Sequence, residues 1–202
     1  MSDATALQVF RLFIALTIPE NVKTEIEKAQ SELRRALPKD CVRWTKREQF
    51  HLTLKFLGNV DAQRVEPLAD AVRKACQGFA MLDLRAERIG FFPDLRMPRV
   101  VWVGVGDQRQ QLPRLQGAVE AAARDFSAEE SSERFTGHVT LGRIKTISRP
   151  ETEVLARLAS GLAATFFGAW RADKIEIMRS QLSPEGARHT TLTTIPLAQD
   201  RR

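Results

Sequence analysis

The chain has 202 residues, 43% of them hydrophobic and 28% charged, a balance that fits one sizeable globular domain or two small lobes sharing a core. No apolar run reaches the roughly 18 residues a membrane span needs. The two cysteines, Cys41 and Cys76, have no metal spacing and are too few for a disulfide scaffold, so a reduced, cytoplasmic protein is expected. The net charge of +6 is carried mostly by arginine and lacks a dense basic run, so it suits either a polyanionic partner such as RNA or DNA or an ordinary solvated surface.

In chain order, VFRLFIALTI (9–18) reads as a buried strand, and its interruption by Arg11 sets it apart from a signal sequence. Pro19 opens an amphipathic helix through Leu37, with Val22, Ile26, Ala29 and Leu33 on one face. VRW (42–44) is a short strand. FHLTLKFLGN (50–59) is a longer one, with Leu52, Leu54, Phe56 and Leu57 as apolar residues to bury, and it ends in the turn signal Gly58–Asn59. A helix over 62–77 carries Val65, Leu68, Ala69 and Val72, a strand follows over 79–92, and PDLRMP is a loop.

The order then restarts. A strand over 99–106 leads to a helix over 110–126 with Leu112, Leu115, Val119 and Ala122 inward, a polar loop at 129–133 and a strand over 134–145. A helix over 150–162, strands near 166–170 and 173–182, a turn at SPEGA (183–187) and a last strand over 187–195 complete the chain. Spacings repeat as well: Phe13 precedes His51 by 38 residues and Trp102 precedes His138 by 36, while Phe79 and Phe166 each follow a histidine by 28. This predicts an α+β fold, one bilobal domain over 1–202 with repeats near 9–92 and 99–180, two sheets about a cleft and helices outside.

The repeated motifs are HLTLKFLG at His51 and HVTLGRIK at His138. In a strand, residues i and i+2 share a face. His51 and Thr53 therefore point one way and Leu52 and Leu54 the other, and His138 and Thr140 oppose Val139 and Leu141 in the same manner. The chain has only three histidines, and two of them begin His-aliphatic-Thr-Leu. By average residue usage, two such matches arise by chance about once in 10⁵.

Two imidazoles with ordinary pKa values near 6.5 can serve as acid and base together. Two hydroxyls can donate to a phosphoryl oxygen between them. The set suits metal-free attack on a phosphodiester, most easily a strained cyclic one. No HExxH, no G-x-S-x-G elbow and no P-loop accompanies it. Gly104 and Gly106 make only a fragment of a nucleotide fingerprint, better read as a tight turn.

The paired motifs, with RLFIALTIPE, GFFPDLRMPRVVWVGV and SQLSPEGARHTTL in the same order, resemble the two-histidine phosphoesterase superfamily in its RNA 2′,3′-cyclic phosphodiesterase branch. The resemblance covers nearly the whole chain. It implies a cleft between two antiparallel sheets and conversion of RNA 2′,3′-cyclic phosphate ends, tRNA fragments among them, or cyclic nucleotides to 2′-phosphates, with no metal or cofactor. It also implies joining of RNA ends through 2′–5′ linkages, and a monomer. His51 and His138 would be catalytic, with His51 as acid and His138 as base, and Thr53 and Thr140 would hold the phosphate.

Arg143 is read as either a phosphate contact or a solvated charge. Lys55 shares the face of His51 if the strand stays regular, or else sits at a rim. Phe135 stacks a base or packs in the core, and Trp44 and Trp102 are packing residues. Gly137 stands where the family often has proline, which would loosen the approach to His138. His189 stands in place of a tyrosine and is expected to be structural or peripheral, or else to replace that tyrosine at the nucleotide and alter preference. The competing functions are an RNA-end-binding module and a phosphodiesterase acting mainly on 2′–5′ linkages.

Overall fold

The computed structural model describes residues 8–127, 134–162, 164–183 and 186–199. The polar loop expected at 129–133 and the middle of the SPEGA turn lie outside them. Nine strands and four helices follow in the order β1 (Val9–Thr17), α1 (Glu20–Ala36), β2 (Val42–Trp44), β3 (His51–Asp61), α2 (Val65–Cys76), β4 (Leu82–Phe92), β5 (Val100–Gly106), α3 (Gln111–Ala123), β6 (His138–Ile144), α4 (Arg149–Gly161), β7 (Phe166–Ala172), β8 (Lys174–Ser183) and β9 (Gly186–Pro196). No described helix is long and apolar enough to cross a membrane, and both cysteines are free thiols.

The strands form two sheets, ordered β3-β1-β8-β9 and β2-β6-β5-β4-β7, and every pairing within them is antiparallel. The expected α+β architecture of two antiparallel sheets is therefore present. Its connectivity departs from two lobes cut at the middle of the chain. β4, from the first half, pairs with β5 and β7 in the second-half sheet, and β8, from the second half, pairs with β1. The counterpart of β4 is thus β8, beside a central strand, and not the strand at Phe166 that matching 28-residue spacings suggested.

The helices cross over too. The α1 residue Gln30, buried between sheet and helix, donates to the Leu141 carbonyl of β6. In return the α3 residue Gln116 donates to the Leu54 carbonyl of β3. Val22, Ile26 and Leu33 of α1 and Leu112, Leu115 and Val119 of α3 join one continuous apolar core with both sheets. On α3 the last buried position is Ala123, one residue later than the expected Ala122.

Both motif strands bulge at the same place. Ala15 pairs with Thr53 but Ile14 with Lys55, leaving Leu54 as an extra residue. Trp102 pairs with Thr140 but Val101 with Gly142, leaving Leu141 extra. A bulge resets the alternation of faces. The residue two positions past each bulged leucine, Phe56 or Arg143, therefore returns to the cleft side. The two glutamine bonds fall on the two bulged leucines, so each helix fastens the irregularity in the other half's motif.

Candidate active site

His51 and His138 line one cavity of about 590 Å³ together with Thr53 and Thr140, so the four principal residues expected from the motifs converge. Each imidazole is anchored in the same way. His51 Nδ1 lies 2.6 Å from the carbonyl of Gln49, and His138 Nδ1 lies 2.8 Å from the carbonyl of Thr136, in both cases two residues upstream. A carbonyl only accepts, so Nδ1 carries the proton and donates it. The neutral ring then keeps its lone pair on Nε2.

Aromatic rings bracket both imidazoles. Phe13 sits 4.7 Å from His51 and His189 meets it edge-on at 5.3 Å. Phe92 meets His138 edge-on at 4.9 Å, with Trp102 at 6.1 Å. Taking a ring out of water disfavours its charged form. Burial pushes His51 down to about 4, against the opposing carbonyl bond, and the neighbouring His189 and His138 push the same way. His138 is lowered by burial too, opposed by the Thr136 carbonyl and reinforced by the charge of Arg143. Burial likewise lowers His189.

Around the rings the walls are cationic. Arg11, Arg43, Lys46 and Arg143 line the cavity, and no Asp or Glu among the described residues does. Arg43 and Arg143 stand directly opposite each other across β2 and β6. Like charges at that separation repel, and an anion between them would relieve it. No group of three or more His, Cys, Asp or Glu among the described residues could hold a metal ion.

The secondary candidates divide. Arg143 lines the cavity, whereas Lys55 does not. The bulge at Leu54 turns Lys55 to the helix side, where it is buried and its Nζ lies 2.6 Å from Glu120 Oε1 on α3. Phe135 packs against the core and is not part of the cavity wall. Trp102 packs between Phe92 and His138, as a packing residue should, while Trp44 also reaches the cavity.

Gly137 lies against β5: its carbonyl accepts from the Val105 N–H at 2.8 Å, and a methyl group there would overlap the Val105 carbonyl oxygen. Regular β6 starts at His138, later than the expected 134.

His189 is not peripheral: it lines the cavity, packs on Phe13 and His51, and its buried Nδ1 finds no hydrogen-bond partner among the described residues. The strand that carries it reaches the site because β8 leaves β1 after Arg179 and runs on with β9 as a two-stranded arm. Gln49 ties that arm down through a bond from its side chain to the Ala187 carbonyl. Gln49, Gln30 and Gln116 carry no sequence signal of such roles, and Arg11 was visible only as a break in an apolar strand.

Residues 16–102 and again 103–189 match the model of a family described as LigT like phosphoesterase. A protein of Methanothermobacter thermautotrophicus named RNA 2′,3′-cyclic phosphodiesterase is 28% identical over 189 residues, which cover 93% of this chain and 98% of that one. One of the same name from Thermotoga maritima is 34% identical over 139 residues, 67% of this chain and 70% of that one. Among solved structures, TT0787 of Thermus thermophilus is similar with a TM-score of 0.76 and 25% identity, over 95% of this chain and 100% of that one.

Proposed function

The chain belongs to the LigT-like phosphoesterase family, and from that premise we propose that it hydrolyses 2′,3′-cyclic phosphate ends of RNA to 2′-phosphates, using His51 and His138 as its proton-transfer pair and no metal. The activity follows the name its relatives carry. The observation that supports the mechanism is the matched anchoring of two imidazoles by upstream carbonyls inside a cavity walled by cations and free of carboxylates among the described residues.

The cyclic phosphate sits between the two Nε2 atoms, with the Thr53 and Thr140 hydroxyls donating to its non-bridging oxygens. Burial favours the neutral form of both imidazoles. One of them takes a proton from the attacking water at Nε2, and the other, protonated, delivers one to the departing 3′ oxygen. The bond from water oxygen to phosphorus forms as the phosphorus–O3′ bond breaks, leaving a 2′-phosphomonoester and a free 3′-hydroxyl. The histidines end with exchanged protonation states and reset through solvent. A 5′-hydroxyl in the place of water gives a 2′–5′ linkage by the same transfers.

Incubation with 2′,3′-cyclic AMP in excess chelator is expected to yield 2′-AMP, with His51→Ala and His138→Ala each slowing it by about 10²–10⁴. A substrate with sulfur at the 3′ bridging position leaves as a stabilised thiolate and needs no acid. It is expected to restore the rate of the variant that lost the acid and not that of the variant that lost the base, which assigns the two roles. No turnover by the native chain would refute the activity, and rescue of both variants or of neither would refute a single acid paired with a single base.

A further inference from the structure

Gln49 closes the short 3₁₀ turn Arg47–Gln49 that leads into β3, and three bonds meet on it. Its carbonyl anchors Nδ1 of His51 at 2.6 Å. Its side-chain Oε1 accepts from the Lys46 N–H at 3.1 Å, and its Nε2 donates to the Ala187 carbonyl on β9. One residue therefore holds His51 through its backbone and the β8–β9 arm through its amide.

The turn is a fixed post. Arg47 reaches back to α1, where its guanidinium donates to Glu27 at 2.8 Å and to the side chains of Glu20 and Thr24 at 2.9 Å each. Phe50, the residue after the turn, is buried. The arm has less support. Its pairing with β1 stops at Arg179, and beyond that point β8 and β9 pair with each other. Yet Ser180, Leu182, Gly186, Ala187 and His189 all line the cavity. Where that wall stands depends on what fastens the arm to the post. The Gln49 amide does so at Ala187, two residues before His189 and on the same face of the strand. His189 in turn meets His51 edge-on at 5.3 Å. The contacts form a closed loop, from the Gln49 carbonyl to His51, across to His189, along β9 to Ala187 and back to the Gln49 amide. On the other side of the cleft, His138 is anchored by the Thr136 carbonyl, and the rings beside it ride on β4 and β5 of its own sheet.

We propose that Gln49 is a positioning residue: its amide registers the arm against the carbonyl that holds His51, so that His189 stays seated on His51 and the arm side of the cavity is fixed relative to the reacting groups. The inference rests on the phosphodiesterase reading for the reaction it serves. Gln49 acts through the arm, so its effect on turnover depends on His189 being present.

Gln49→Met keeps the length of the side chain and removes both of its bonds. It is expected to lower kcat/KM on 2′,3′-cyclic AMP about tenfold, with kcat carrying part of the loss. In a His189→Ala background the same change is expected to cost less than about twofold. Two further variants separate the bonds. Gln49→Lys can donate to the Ala187 carbonyl and cannot accept from Lys46, while an ionised glutamate in Gln49→Glu does the reverse. Lysine is expected to recover kcat and glutamate is not. A readout free of turnover comes from the histidines, which number three and so give three separate Cε1–H lines by NMR. Gln49→Met is expected to shift the lines of His51 and His189, whose rings face each other, and to leave that of His138 in place. No loss, equal loss in both backgrounds, recovery by glutamate and not by lysine, or unmoved His51 and His189 lines in the folded variant would each overturn the coupling. If the native chain turns over no cyclic nucleotide, the phosphodiesterase reading fails by itself, and the NMR comparison still decides for or against Gln49.

Discussion

At the scale of single residues, the unusual feature is a third imidazole where only two are needed. His189 meets His51 edge-on at 5.3 Å, and both its bulk and its potential charge hold His51 low. With His51 at about 4, the limb of the pH–rate profile that its protonation governs lies far below the usual histidine range. Replacing His189 by alanine admits water and removes a neighbour that repels a second proton. His51 then rises toward its ordinary value, and the limb of kcat/KM that it governs moves to higher pH. Phenylalanine at 189 keeps the ring buried and removes only the charge, so its limb is expected between those of the native chain and the alanine variant. An unmoved limb in both variants would show that the limb belongs to another group. The sequence showed the three histidines but not this contact, because residues so distant in the chain meet only through the arm made by β8 and β9.

At the scale of elements, the bulges decide which side chains face the cleft, and a helix glutamine bonds the carbonyl of each bulged leucine. Gln30 donates to both the Thr45 and the Leu141 carbonyls at 2.8 Å, the second being the bulged residue of β6. A leucine at 30 preserves the shape of α1, strands the half-buried Thr45 carbonyl and leaves the Leu141 carbonyl with the Thr45 N–H as its donor, at a cost of about 1–3 kcal/mol. Denaturant unfolding should show the loss as a lower midpoint. If the same bond holds the turn that brings Arg143 to the cavity, kcat/KM falls by more than stability explains at temperatures where the variant is fully folded. A variant that is less stable but equally active would mean the bulge is set by strand pairing alone. Here the reach of the sequence is easy to mark. Period-two alternation placed His51, Thr53, His138 and Thr140 correctly, since all four precede the bulges. Beyond the bulged leucine of β3 it failed: Lys55 was expected on the cleft face or at its rim and is buried toward α3, while Phe56 was expected among the buried residues and stands open. A bulge depends on what packs behind the strand, and local pattern carries no record of that.

At the scale of the whole molecule, duplication and exchange belong together. The spacings of the motifs announced two similar halves, and the family model matches each half in turn. What the spacings could not reveal was that the halves trade their third strands, because pairing partners are chosen in three dimensions. β1 and β3 find β8 from the other half, β5 and β6 find β4, and Gln30 and Gln116 reach across in the same sense. Each half alone would leave β1 or β5 with an unpaired edge and its helix with no sheet to cover. The exchange predicts that the two halves, each with its copy of the motif, unfold as one cooperative unit. Separate expression of residues 1–98 and 99–202, cut within the loop between β4 and β5, tests this directly. Each fragment by itself is expected to lack a cooperative thermal transition, and mixing the two is expected to restore one transition together with turnover of the cyclic nucleotide. A fragment that unfolds cooperatively on its own would show that the exchange decorates two independent lobes, and the pinning of each bulge from the opposite half would then lose its place as a condition for the site.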